Sequence, residues 1–256
     1  MKRALKKVKV IAIILLSLLL TMVLGLFIYT LDSYGPSQEM YDAIDALTLD
    51  DLQVVNDFDQ ISYFVDQPKK NIVIIPGGKV KPESYTYLAI MLALEGYDVT
   101  IVKTVFNLAI LTPNYGSRFL KEGIDNVVIG HSLGGTVASM FSSGDDRVSD
   151  IIFLASYPIA DVKDKDVLVI TGQFDLVLDL NDLEDSEDLL PDDRILYEIL
   201  GGNHAQFGWY GNQKDDGAAT MSTKEQQDII KDQIIDFIEW GSTAWVFLWH
   251  KMIQSS

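Results

Sequence analysis

The stretch "VVIGHSLGGTVASMF", residues 127–141, limits the fold more than any other part of the chain. Val127, Val128 and Ile129 form a continuous apolar run, which suits a strand buried on both faces. A helix-like pattern begins at about Leu133. The chain must therefore turn sharply between them, and strand and helix must approach closely. Gly130, Gly134 and Gly135 supply the small residues such a turn needs. The polar residue at its centre, Ser132, is forced into a strained backbone conformation. Its side chain is held above the sheet edge, facing the N–H groups of a helix start.

The rest of the chain after residue 52 repeats this alternation of short β-rich runs and longer helical ones. "ISYFVD" (61–66), "NIVIIPGG" (71–78), "YDVTIVK" (97–103), "NVVIG" (126–130), "VSDIIFLAS" (148–156), "DVLVITG" (166–172) and "RILYEIL" (194–200) read as strands. Helices are expected over 82–95, with a proline in the first turn, over 115–122, from about 133, and over 223–240. This order predicts an α/β fold, a mostly parallel, doubly wound sheet flanked by helices, with ligands at the carboxyl ends of the strands. About nine residues separate the runs ending near 156 and starting near 166, so the spacing leaves no room for a separate lid domain.

Gly130-His131-Ser132-Leu133-Gly134 fits G-x-S-x-G in the strand–turn–helix setting that makes Ser132 a candidate nucleophile. A serine needs a base. Of the three histidines, His131 adjoins Ser132 and points away from it, and His250 lies in the C-terminal tail. His204, in "LGGNHAQFG" just after the last strand, is the expected base. An acid must orient that base. Asp175 directly follows a buried strand, and the order Ser132, Asp175, His204 is that of the hydrolase triad. Asp161, Asp179 and Asp182 are competitors placed less directly. Expected oxyanion donors are the backbone N–H groups of Leu133 and of Gly78, with Lys79 next. Lys79, Phe106 and Leu108 are candidates for the substrate pocket, alongside Ile110 and Leu111 in the apolar loop 104–113. The loop 208–220 is a second possible cover for the site.

With these residues in place the chain resembles an α/β-hydrolase, and more narrowly the bacterial group related to dienelactone hydrolases. The matching pieces are "PGGKV" (76–80), "GHSLGG" (130–135), "ASYP" (155–158), "TGQFD" (171–175), "GGNHAQFGWYG" and the nearby "DDGAAT". They span about residues 60–240. The resemblance implies an α/β-hydrolase fold with nucleophile Ser132, acid Asp175 and base His204. It departs from true dienelactone hydrolases, whose nucleophile is a cysteine. That favours ordinary esters over lactones.

Ahead of this domain, residues 10–31 run without a charge. As a helix they would extend about 33 Å, enough to cross a bilayer core. Lys2, Arg3, Lys6, Lys7 and Lys9 precede them, so the positive-inside rule places residues 1–9 in the cytoplasm and the domain outside. An uncleaved anchor is favoured over a cleaved signal peptide, because the apolar run is long and no A-x-A site follows it. Residues 32–52 read as a linker with a short helix around 37–47, 53–240 as the hydrolase domain and 241–256 as an aromatic tail. The tail is too short to span a bilayer. It either extends the last helix onto the domain, the favoured reading, or lies on a membrane surface.

Five of the twenty basic side chains lie in the N-terminal cluster, leaving fifteen against 37 acidic ones beyond it. A domain this acidic repels phosphate backbones, so nucleic acid is an unsuitable partner. The acidic run 179–193 lacks the glycine of a calcium loop and reads as a solvated face. There is no cysteine, which excludes disulfides and thiolate metal sites. No metal or organic cofactor is expected. The expected activity is a membrane-anchored, extracytoplasmic serine hydrolase (a carboxylesterase) acting on a small ester or acyl compound. The alternatives are an envelope acyltransferase using the same triad, a catalytically silent binding module of the same fold, and a peptidase. The sequence leaves oligomeric state open.

Overall fold

The computed structural model describes residues 2–49 and 52–254. The chain divides into two compact units, Met1–Ser33 and Tyr34–Ser256. The first is the helix α1 (Lys2–Thr30). Within its segment Lys6–Thr30 an 18-residue stretch has a mean hydropathy of 3.0, and none of that stretch is buried. The segment is long and apolar enough to cross a membrane, and a signal sequence would satisfy the same criterion.

The second unit begins with α2 (Gln38–Asp45) and the strands β1 (Gln53–Asn56), β2 (Gln60–Phe64) and β3 (Asn71–Ile75). There follow α3 (Thr86–Leu94), β4 (Asp98–Val102), β5 (Asn126–His131), α4 (Leu133–Ser142), β6 (Val148–Leu154) and β7 (Asp166–Gly172). The chain ends with α5 (Leu180–Asp185), β8 (Ile195–Ile199) and α6 (Thr223–Gln254). The strands form one eight-stranded sheet in the order β1-β2-β4-β3-β5-β6-β7-β8. The pairs β1–β2 and β2–β4 are antiparallel, and every pair from β4 to β8 is parallel.

The apolar runs alternate between two cores. Ile72 and Ile74, Val127 and Ile129, and Leu168 and Ile170 face one side, where Leu88 and Leu92 of α3 and Ile230, Ile234 and Phe237 of α6 cover them. Val73 and Ile75, Val128, and Val167 and Val169 face the other side, under Val137, Ala138 and Phe141 of α4. Burial on both faces is why these strands read as unbroken apolar runs. Residues 155–165, between β6 and β7, carry no helix or strand, so no lid domain is inserted there.

Several elements differ from expectation. Residues 115–122 do not form an α-helix: they make a 3-10 turn, Tyr115–Phe119. There Gly116 lies against the Phe141 ring, 2.8 Å from where a β-carbon would stand, so no larger residue fits. The helix expected from Pro82 starts as a 3-10 turn, Pro82–Tyr85, before α3. The edge strand β1 is short and mostly exposed, and its two valines gave no alternating pattern. The last helix runs past residue 240. Its backbone breaks at Gly241 (φ 68°, ψ 169°) and is helical again to Gln254.

Candidate active site

Ser132 links β5 to α4 with φ 52° and ψ −127°, a left-handed conformation that costs a non-glycine residue free energy. The surroundings hold it there. A β-carbon at Gly130 would collide with the Gly135 backbone, one at Gly134 with the carbonyl oxygens of Ile75 and Pro76, and one at Gly135 with the Ser156 hydroxyl. The Ser132 N–H donates to Leu154 O at 3.0 Å. Its carbonyl accepts from Gly135 N at 2.9 Å and from the Ser156 hydroxyl at 2.6 Å.

His204 lies after β8, at the start of a 3-10 turn over Ala205–Phe207. Its Nδ1 is 2.8 Å from Asp175 Oδ2, and both side chains are 2% exposed. A carboxylate only accepts, so Nδ1 carries the proton and Nε2 keeps a lone pair. The other Asp175 oxygen accepts from Val177 N at 2.9 Å and Leu178 N at 2.8 Å, which fixes the carboxylate. The competing acids are engaged elsewhere. Asp161 accepts from Lys163 N, Asp179 caps α5 through Asn181 N, and Asp182 accepts from the Tyr157 hydroxyl.

The glycine loop after β3 approaches the start of α4. Gly77 N–H donates to the Tyr85 hydroxyl at 2.9 Å, and Lys79 N–H donates to Asn107 O at 2.8 Å. The Lys79 amide is therefore committed to the 104–113 loop. Gly78 lies between them against Leu133, whose Cδ2 is 3.0 Å from where a Gly78 β-carbon would stand. Leu133 is the first residue of α4, so its N–H has no helical acceptor.

A model of the alpha/beta hydrolase family matches residues 71–228, more than half of the chain. The chain belongs to the α/β-hydrolase family. Among solved structures, the α/β-hydrolase is similar to a predicted CIB-like hydrolase from Thermoplasma acidophilum, with 15% identity and a TM-score of 0.52 over 72% of this chain and 98% of that one. A dienelactone hydrolase from Anabaena variabilis gives 11% identity and a TM-score of 0.52 over 71% and 96%. A ferulic acid esterase from Streptomyces cinnamoneus gives 19% and 0.54 over 66% of each chain. At these identities the likeness is one of fold. Comparison with curated proteins finds no significant sequence match.

In this α/β-hydrolase, Ser132 and His204 line one cleft of about 220 Å³, together with Tyr157, Val177, Asp179 and Asp182. Lys79, Phe106 and Leu108 are not among the residues lining it. The loop carrying Phe106 and Leu108 folds into two 3-10 turns and is tied to Lys79. That places Leu108 against Gly78, beside the glycine loop rather than in the cleft. Ile110 and Leu111 are each 41% exposed. The acidic run thus contributes a wall of the site, through Asp179 and Asp182, as well as solvated surface.

His131 is buried beneath the elbow, with its ring 4.8 Å from that of His204. The Tyr85 oxygen accepts from Gly77 N–H and is also hydrogen-bonded to His131 Nδ1 at 2.7 Å. Burial, and then the positive charge His204 can carry, hold His131 well below the ordinary histidine value. The nearby His204 carbonyl acts in the opposite sense and is outweighed. His131 is accordingly neutral, and its place is structural.

Sequence reasoning missed Tyr85, Ser156, Tyr157 and Val177. Ser156 and Tyr157 directly follow the end of β6, where a parallel sheet gathers its site. That position was the available signal. Tyr85 had none, because its link to the site is two long-range bonds, to Gly77 N–H and His131 Nδ1.

Proposed function

We propose that the chain is a serine hydrolase that cleaves a carboxylic ester or similar acyl compound through Ser132, His204 and Asp175. The observation that carries this reading is the buried 2.8 Å bond between Asp175 and His204 Nδ1, with His204 and the strained Ser132 lining one cleft. The Asp175 bond leaves His204 Nε2 as the acceptor for the Ser132 proton. The serine oxygen then bonds to the substrate carbonyl carbon, and the N–H groups of Gly78 and Leu133 hold the resulting oxyanion. His204 returns the proton to the departing alcohol as the carbonyl re-forms. Water, activated by the same imidazole, hydrolyses the acyl-enzyme and restores Ser132. The names of two structural neighbours, a dienelactone hydrolase and a ferulic acid esterase, support an ester substrate.

The apolar segment Lys6–Thr30 and the basic residues before and at its start support a single-pass anchor with a cytoplasmic N-terminus and an extracytoplasmic catalytic domain.

The test is labelling of the full chain in detergent with a fluorophosphonate, beside Ser132→Ala and His204→Ala. Labelling of the wild type that is lost in both variants is the expected result. A folded wild-type chain that does not label would overturn the reading. Product analysis with an added alcohol then separates hydrolysis, the expected outcome, from acyl transfer.

A further inference from the structure

The loop that carries the acid and the loop that carries the base meet at a third loop, and one side chain there bonds to both. The Asp216 carboxylate accepts from four backbone N–H groups. Oδ1 takes Leu176 N at 3.4 Å, on the acid loop next to Asp175. The same oxygen takes His204 N at 3.3 Å and Gly217 N at 2.8 Å. Oδ2 takes Ala205 N at 2.8 Å. The following glycine is as closely held. A β-carbon at Gly217 would collide with the Phe174 carbonyl oxygen, and the Gly217 carbonyl accepts from Asn203 Nδ2 at 2.7 Å. Residues 216 and 217 therefore touch Phe174 and Leu176 on one side, and Asn203, His204 and Ala205 on the other.

We propose that Asp216 is a positioning residue: it clamps the acid loop to the base loop and sets the distance between Asp175 and His204. The proposal rests on the reading of Ser132, Asp175 and His204 as a triad. Asp216 does not line the cleft, so it acts on the pair and not on substrate. Other bonds join the two loops nearby, Phe174 N–H to Gly202 O at 2.8 Å, Gln173 N–H to Ile199 O at 3.0 Å and Gly201 N–H to Gln173 Oε1 at 2.9 Å. All of these lie before Asp175 and before His204 in the chain. Asp216 bonds at His204 itself and at the residue after Asp175. A carboxylate suits this position because it only accepts, and every group that faces it donates.

The experiment uses the full chain in detergent and three variants, D216A, D216N and D215N. Two properties are read: the rate of hydrolysis and fluorophosphonate labelling, and the downfield NMR signal of the proton between His204 Nδ1 and Asp175. D216A is expected to lose roughly a hundred-fold in kcat, with KM changed less than about threefold, because misplacement by about 1 Å has that effect. Its downfield proton signal should disappear. In D216N the amide oxygen still accepts from Leu176, His204 and Gly217, while its NH2 faces the Ala205 N–H. It should keep the signal and lose only about tenfold, a partial rescue that simple destabilisation would not give. D215N, altered at the exposed neighbour, should match the wild type. A folded D216A with wild-type rate or an intact proton signal overturns the proposal. Should D216A fail to fold, D216N decides: a lowered kcat at unchanged KM supports the proposal, and wild-type kcat overturns it. If the wild type does not label at all, the hydrolase reading falls. The proton signal alone then decides whether Asp216 holds the pair.

Discussion

The Tyr85 hydroxyl stands 2.7 Å from His131 Nδ1 and also accepts from Gly77 N–H at 2.9 Å, so one buried oxygen joins the glycine loop to the turn that carries Ser132. Burial pushes the phenol well above its ordinary value, and it stays neutral. Tyr85→Phe keeps the ring and removes that oxygen. Gly77 N–H and His131 Nδ1 are then left buried without a partner, which destabilises the fold by about 1–3 kcal/mol. The loop that presents Gly78 also loses its tie, and kcat falls by about tenfold, less than the roughly hundred-fold or greater loss that follows deletion of an oxyanion donor. Thermal unfolding and ester kinetics measure the two effects separately. A Tyr85→Phe chain with wild-type kcat would show that the loop needs no such tie.

His131 sets a pH dependence of stability. In the unfolded chain it binds a proton near its ordinary value of 6.5, whereas in the folded chain it stays neutral well below that value. The contribution is therefore fully present above pH 6.5. It is lost as pH falls from 6.5 toward the depressed folded value, with a slope of up to about 1.4 kcal/mol per pH unit. Urea unfolding at pH 7.5 and 5.5 should show this loss, and His131→Gln should flatten it. An NMR titration in which the folded His131 ring takes up a proton near its ordinary value would contradict the account.

The legible part of this fold was the part buried on both faces. β3, β5, β6 and β7 show as apolar runs because side chains at odd and even positions enter two separate cores. That Ser132, Asp175 and His204 come near one another was legible because each lies within five residues after the end of a strand in a parallel sheet, where chain order fixes which ends lie together. What lay outside that logic was not legible. β1 is an exposed edge strand with little pattern to read. Residues 115–119 (Tyr, Gly, Ser, Arg, Phe) hold one strong helix former, Arg118, and fold as a 3-10 turn. Loops 104–113 and 208–220 were recognised as site borders without their roles. Those roles depend on single long-range bonds, Lys79 N–H to Asn107 O and the Asp216 carboxylate to Leu176 and His204.

The cleft wall predicts a preference in substrate charge. Asp179 and Asp182 line the cleft beside Ser132, and among the described residues no lysine or arginine does so. The backbone N–H and then the side-chain amide of Asn181 hold the Asp179 carboxyl below its ordinary value, so it is ionised at neutral pH. An ester carrying a carboxylate in its acyl group should be turned over more slowly than a neutral ester of the same shape, by about three- to tenfold at low salt. The double variant Asp179→Asn, Asp182→Asn should narrow the ratio, and 0.5 M salt should narrow it in the wild type as screening shortens to a few ångströms. Matched kcat/KM values for the two esters give the ratio, and a ratio near one at low salt would exclude an electrostatic role for this wall.

The two compact units predict separable location and catalysis. The helix segment Lys6–Thr30 is long and apolar enough to cross a membrane, and the acidic unit Tyr34–Ser256 contains its own sheet and cores. If the helix spans a bilayer, the full chain should remain with membranes through alkaline carbonate washing. A chain starting at Tyr34 should be recovered in the soluble fraction with the same labelling rate at Ser132. By the positive-inside rule the basic residues before and at the start of the helix predict a cytoplasmic N-terminus. Protease added outside intact cells should digest the hydrolase unit and spare a tag placed at Met1. Protection of the hydrolase unit would reverse the topology, and release of an intact domain lacking the helix would identify a cleaved signal sequence in place of an anchor.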